Sequence, residues 1–182
     1  MLTTLVVIII FFLSIQVFPI AVGINVSGKQ AKVILLIVVL SLVQAVAYWL
    51  GLKLGNSFMH LMDGFKGAVF FIGFLFIGIR MLMETINIHK GERTYSIDSV
   101  SHVLLASIAQ GINTFLVGLL FCYLVIDEKF TLILLIVISV AIATVGIVMK
   151  PGKFALSLAS LVYAFGGLVM IVSAIYISFF VL

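Results

Sequence analysis

Apolar runs long enough to cross a lipid bilayer recur along this chain, and no other feature constrains its fold as tightly. A bilayer core of about 30 Å takes about 20 apolar residues of helix. Stretches 2–24, 31–54, 67–86, 98–126, 130–149 and 153–181 satisfy that length in a chain of 182 residues that is 65% apolar and 9% charged. A soluble domain is roughly 45–50% apolar and about 25% charged, and one of this size still presents a large surface to water. A soluble globular enzyme is therefore excluded, together with disordered and collagen-like chains. Runs such as residues 5–13, LVVIIIFFL, lack the alternating polarity of a membrane β-strand, so the spans are read as helices. The expected fold is all-α, a polytopic membrane protein with six transmembrane helices.

The connections are short and polar. The longest, around residues 87–96 (NIHKGERTYS), divides the chain into a three-helix unit at 1–88, a cytoplasmic loop at 89–97 and a second three-helix unit at 98–182. Ser96 or Asp98 is expected to cap the fourth helix. The first stretch has no basic leader and no soluble domain after it, so it is read as a permanent span. Six spans put both termini on one side. Lys53, Lys66 and Lys129 adjoin the connections there, against Lys29, Lys32, Lys90, Arg93, Lys150 and Lys153 opposite, with Arg80 nearby. Positive charge marks the cytoplasmic face, which puts both termini outside.

The formal charge of +4 comes from scattered Lys and Arg rather than a basic stripe, so no nucleic-acid partner is expected. The expected partners are the lipid bilayer and a small ion or solute, with an oligomer left open. Cys122 stands alone and is read as a small buried hydrophobe.

The two halves align. Ser14-Ile15-Gln16-Val17-Phe18 matches Gly111-Ile112-Asn113-Thr114-Phe115, each inside the first helix of its half. Gly78-Ile79-Arg80-Met81-Leu82 matches Gly167-Leu168-Val169-Met170-Ile171 in the third. Units of three helices within one chain must enter from opposite faces. That is the inverted repeat of many secondary transporters, which place a site near the midplane where the repeats meet.

Amides mark the candidate site. Gln16 lies three residues before Pro19, whose missing N–H is expected to free the carbonyl of Ile15. Asn113 is its counterpart, Gln110 shares the face of Asn113, and Gln44 sits deep in the second helix. Four carboxamides at similar depth suggest a substrate-binding site at Gln16, Gln44, Gln110 and Asn113. A packing network of interhelical hydrogen bonds is the competing reading.

Pro19, Arg80, Glu84, Gly166 and Gly167 are assigned structural roles. Arg80 and Glu84, spaced i, i+4, are expected to neutralise each other or reach the interface. Gly51-x-x-x-Gly55, Ala155-x-x-x-Ala159 and Ser160-x-x-x-Ala164 read as packing faces. Tyr48 and Trp49 read as an aromatic belt. His102 lacks a partner at metal spacing, and Ser107 and Ser160 lack an evident base, so neither a cofactor nor an enzyme is expected.

These landmarks, in this order, resemble those of the manganese efflux pump (MntP) family of lysine-exporter-like transporters. Leu13-Ser14-Ile15-Gln16-Val17-Phe18 follows a family string with aspartate at the place of Gln16. The string from Gly111 to Gly118 follows one with aspartate at the place of Asn113. Gln44, Gly78-Ile79-Arg80-Met81 with Glu84, Thr144-Val145-Gly146 and Gly166-Gly167-Leu168-Val169 match as well. The resemblance implies a bacterial inner-membrane transporter exporting Mn²⁺ or another cation by alternating access, with Gln16 and Asn113 at the metal positions.

The departures matter. Mn²⁺ favours carboxylate, carbonyl and water oxygens, and two amides supply dipoles without negative charge. A neutral or monovalent solute carried by the same fold is the alternative. A non-transporting scaffold or regulatory subunit is a third reading.

Overall fold

The computed structural model describes residues 2–25, 30–90, 95–96, 100–149 and 152–182. Their helices are α1 (Leu2–Ser14), α2 (Val17–Gly23), α3 (Gln30–Phe58), α4 (Lys66–His89), α5 (Val100–Phe121), α6 (Glu128–Met149) and α7 (Lys153–Phe180). The protein is all-α apart from a two-residue parallel bridge, in which Ile24 pairs with Tyr95 and Asn25 with Ser96. Five continuous helical stretches are long and apolar enough to cross a membrane: Leu2–Gly23, Ala31–His89, Ser101–Phe121, Glu128–Met149 and Lys153–Phe180. This is the architecture of a multi-pass membrane protein.

The stretch Ala31–His89 is 59 residues long, far more than one crossing needs at about 1.5 Å per residue. A 3₁₀ segment, Met59–Phe65, interrupts it, with Met62 at non-helical φ −111°, ψ 16°. The packing partners show what happens there. Thr114 bonds Gln44, Gly118 abuts Tyr48 and Leu52, and Gly55 abuts Leu119 and Cys122, so α3 and α5 run parallel. Arg80 reaches Asn113 while Gly73 abuts Leu120, so α4 and α5 run antiparallel. The chain therefore reverses across Met59–Phe65, and α3 and α4 are two helices of opposite direction.

Close backbone approach sets the packing. A Cβ on Gly51 would collide with the Phe115 carbonyl oxygen, and one on Gly118 with that of Tyr48, so α3 and α5 touch main chain to main chain. Lipid is as apolar as leucine, and intimate contact of this kind holds membrane helices together. The α4–α7 pair is antiparallel along its length. Gly67 faces Ser178, Gly78 faces Gly167, and the Ser160 hydroxyl donates to the Thr85 carbonyl at 3.2 Å. The Gly78–Gly167 contact is reciprocal: a Cβ on either would lie 2.8 or 2.9 Å from the other's carbonyl oxygen. Ala155, Ala159 and Ser160 are buried on the same helix, as their packing role requires.

Three expectations need correction. The fourth helix ends at Phe121 rather than near residue 126, closing with short-range bonds from Tyr123 N–H to Leu120 O and Leu124 N–H to Phe121 O. The next helix has its own cap, since Asp127 Oδ1 accepts from the N–H groups of Lys129 and Phe130 at 2.9 and 3.1 Å. Tyr48 is no belt residue. Because α3 continues to Phe58, Tyr48 lies well inside it, fully buried edge-on against Phe121, while Trp49 is exposed. Cys122 is half-buried rather than buried. Ser96 pairs with Asn25, and residues 97–99, where the expected cap would meet α5, lie outside the described residues. Asp98, Lys29, Arg93 and Lys150 lie outside the described residues.

Candidate functional site

The first membrane segment breaks in its middle. Ser14 donates its hydroxyl back to the Ile10 carbonyl at 2.8 Å, a bond that bends helices. Gln16 N–H then closes on Leu13 O at 3.2 Å, and α2 restarts at Val17. Pro19 becomes the third residue of α2, inside a first turn whose N–H groups have no intrahelical partner, so its missing donor costs little there. The carbonyl of Ile15 is not free, contrary to expectation. Phe18 N–H closes a tighter turn onto it at 2.9 Å, replacing the bond that Pro19 cannot make.

Gln16 precedes α2 but makes no side-chain capping bond. Its amide points across the bundle instead. The Gln16 Oε1 accepts from Asn113 Nδ2 at 3.0 Å, and both residues are fully buried. Residues 97 positions apart, matched between halves on sequence alone, thus meet in the interior. Gln44 lies beside them: its Oε1 accepts from the hydroxyl of Thr114, the residue after Asn113. Gln110, one turn earlier on α5, is fully buried, and neither its Nε2 nor its Oε1 has a hydrogen-bond partner among the described residues.

Arg80 was assigned a structural role, yet the structure brings it into this cluster. Its Nη1 donates to Asn113 Oδ1 and its Nη2 to the Ala109 carbonyl, both at 2.6 Å. Glu84 Oε1 lies 3.7 Å from Nη2 at the expected i, i+4 spacing. Glu84 is also anchored elsewhere, since its Oε2 accepts from the Tyr163 hydroxyl of α7 at 2.9 Å. A continuous polar line therefore runs from Gln16 through Asn113 and Arg80 to Glu84 and Tyr163. It joins the first segment to α5, α4 and α7. Sequence spacing suggested only the local ion pair; a signal for the reach towards α5 was Gly73, seven residues before Arg80 on the same helical face.

A cavity of about 430 Å³ lined by Arg80, Met83, Glu84, Ile86 and Asn87 opens beside the guanidinium. A second, of about 360 Å³ between α3 and α5, is lined by apolar side chains such as Val43, Ala47 and Phe115 and offers a ligand no polar contact. Gly166 lies against Met81 and Phe12, and Gly167 against Gly78 and Leu82, so both belong to packing faces rather than to the cluster. Among the described residues, no three of His, Cys, Asp and Glu gather closely enough to hold a metal ion. The two side-chain oxygens of the Gln16–Asn113 contact both accept hydrogen bonds, and Asn113 Oδ1 takes its bond from the Arg80 guanidinium.

No curated protein and no solved structure matches the chain. One family model does, over residues 26–178, and it is described as "Putative manganese efflux pump" (Mntp). The match includes Gln44, Arg80, Glu84, Gln110 and Asn113 and begins after Gln16. With most of its length matched, the chain belongs to the manganese efflux pump (MntP) family, as a multi-pass protein of a membrane efflux transporter family.

Proposed function

We propose that this protein is a six-span transporter built from two inverted three-helix repeats, working by alternating access about the Gln16–Asn113 contact. The contact itself is the observation that carries the reading. In a pair of repeats related by a two-fold axis, equivalent residues close to that axis touch each other. Gln16 touches Asn113, and Gly78 touches Gly167. Both pairs are repeat partners by sequence. A third correspondence lies off the axis: Gly51 of α3 abuts the Phe115 carbonyl oxygen, while a Cβ on Gly146 of α6 would lie 3.2 Å from that of Phe18. The helix directions fit as well, with α3 parallel to α5 and α4 antiparallel to α7. In this reading residues 1–88 and 98–182 form the two halves. The Ile24–Asn25 bridge to Tyr95–Ser96 gathers the connections near Lys32 and Lys90 at one end of the bundle, supporting the cytoplasmic assignment of that end.

The broken first segment supplies the moving part. Transporters place their sites at interrupted helices because irregular backbone at membrane depth is tolerated only where protein or a cavity covers it. The substrate site is Gln16, Gln44, Gln110 and Asn113, with Arg80 added by the geometry. Mn²⁺, the cargo named in the family description, meets a demanding environment here, with Glu84 the only carboxylate in the polar line and a guanidinium on Asn113.

Flux of Mn²⁺, monovalent ions and neutral solutes into proteoliposomes tests the reading. At least one solute should move, and Gln16→Ala or Asn113→Ala should abolish its flux while the protein stays folded. Variants that change stability alone, with every flux intact, would favour the scaffold reading.

A further inference from the structure

We infer that the cluster recognises a small oxoanion or carboxylate, a group that only accepts hydrogen bonds; this rests on the reading of Gln16–Asn113 as the substrate site. Arg80 carries five N–H donors and no acceptor. The atom of Asn113 facing Nη1 must therefore be its oxygen, which turns its NH₂ towards Gln16. That in turn fixes the oxygen of Gln16 towards Asn113 and leaves its NH₂ pointing elsewhere. The Gln16 Nε2 is buried and has no hydrogen-bond partner among the described residues. An unpaired buried donor of this kind is costly, and an acceptor brought by a ligand relieves the cost.

Oxygens are scarce in the same place. Asn113 Oδ1, Gln16 Oε1 and Gln44 Oε1 each accept from a protein donor. Arg80 thus polarises the chain of amides, so that oxygens face inward to protein donors while N–H groups are left over. Gln110 contributes a further buried NH₂ without a partner among the described residues, together with an equally unpartnered Oε1, so the excess of donors rests on Gln16 Nε2 and Arg80. A bare cation gains nothing from N–H groups. A carboxylate or inorganic oxoanion is acceptor-only and matches a guanidinium fork. Arg80 is reached from the adjoining cavity of about 430 Å³, within the range of small-molecule sites. Its side chain keeps 22% exposure, so it stands between that cavity and the buried amides. Glu84 at 3.7 Å balances the guanidinium charge without taking its two short bonds, and an arriving anion competes with it.

Thermal unfolding of the detergent-purified protein, followed with flux in proteoliposomes, tests this. Sodium formate, acetate and nitrate are compared with sodium chloride and manganese chloride at equal ionic strength. At saturating ligand the carboxylates or nitrate should raise Tm by roughly 3–6 °C, with manganese chloride no better than sodium chloride. Formate and acetate acting without nitrate would assign a carboxylate; nitrate acting equally would assign oxoanions generally. Arg80→Gln should remove the shift. Gln16→Glu, nearly isosteric, replaces the spare donor with a charged acceptor and should also remove it. Flux of Mn²⁺ or a neutral solute with no anion-dependent shift overturns the inference while leaving the transporter. A shift with no flux of any solute upholds the recognition chemistry and defeats transport. Persistence of the shift in both variants overturns the inference even if the protein transports.

Discussion

Removing the link between Arg80 and Asn113 probes the polar line at its most charged point. Asn113→Leu deletes a 2.6 Å bond from a guanidinium and the 3.0 Å bond to Gln16 Oε1. A hydrogen bond to a charged group contributes about 1.5–3 kcal/mol in water-soluble proteins. Interhelical bonds in a bilayer average about 0.6 and reach about 1.7 kcal/mol. Arg80 keeps a second short bond to Ala109 O and 22% side-chain exposure, so the lower part of the charged range applies, about 1.5 kcal/mol. Adding about 0.6 kcal/mol for the Gln16 bond gives about 2 kcal/mol lost in Asn113→Leu. Arg80→Gln loses a comparable amount, and the double variant should lose about 1–1.5 kcal/mol less than the sum of the two. The assay is reversible unfolding of all four proteins in mixed micelles. A coupling under about 0.3 kcal/mol would refute the claim that these side chains form one network.

The α4–α7 contact makes a separate prediction. In Gly78→Ala the new Cβ would lie 2.6 Å from Ile171 Cγ1 and 2.8 Å from Gly167 O, so backbone must give, at about 1–3 kcal/mol. Gly167→Ala should cost similarly, and the pair less than the sum, because one separation of the helices relieves both; full additivity in the same unfolding assay would count against a reciprocal contact. Gln16→Asp with Asn113→Asp places two carboxylates beside Arg80 and should create manganese tolerance in an efflux-deficient host that the parent does not confer. A well-inserted double variant without that gain would show that more than these two positions sets the cargo.

The long apolar helices were legible because a bilayer demands length and apolarity, and sequence displays both. The meeting of Gln16 with Asn113 was legible too, as a consequence of matching the halves. Other features depended on reach or on where a helix stops. Arg80 and Glu84 look self-sufficient at i, i+4, and only the approach of α5 offers Arg80 better acceptors at 2.6 Å. Tyr48 was misplaced because the apolar stretch fades after residue 54 while the helix runs to Phe58. Its position three residues before Gly51, on the face that meets α5, carried the correct signal. Pro19 announced the break, but the rescue of the Ile15 carbonyl by Phe18 N–H is a choice of local turn that composition does not express.

Cross-linking in native membranes reaches the central claim most directly. In a Cys122→Ala background, Gln16→Cys and Asn113→Cys should be joined by a short bis-methanethiosulfonate reagent, since the parent side chains touch at 3.0 Å. Gln16→Cys paired with a cysteine at the exposed Ile112 should not be joined. Equal linkage of both pairs, or none of the first in a folded protein, would contradict a buried meeting of the two halves at these amides.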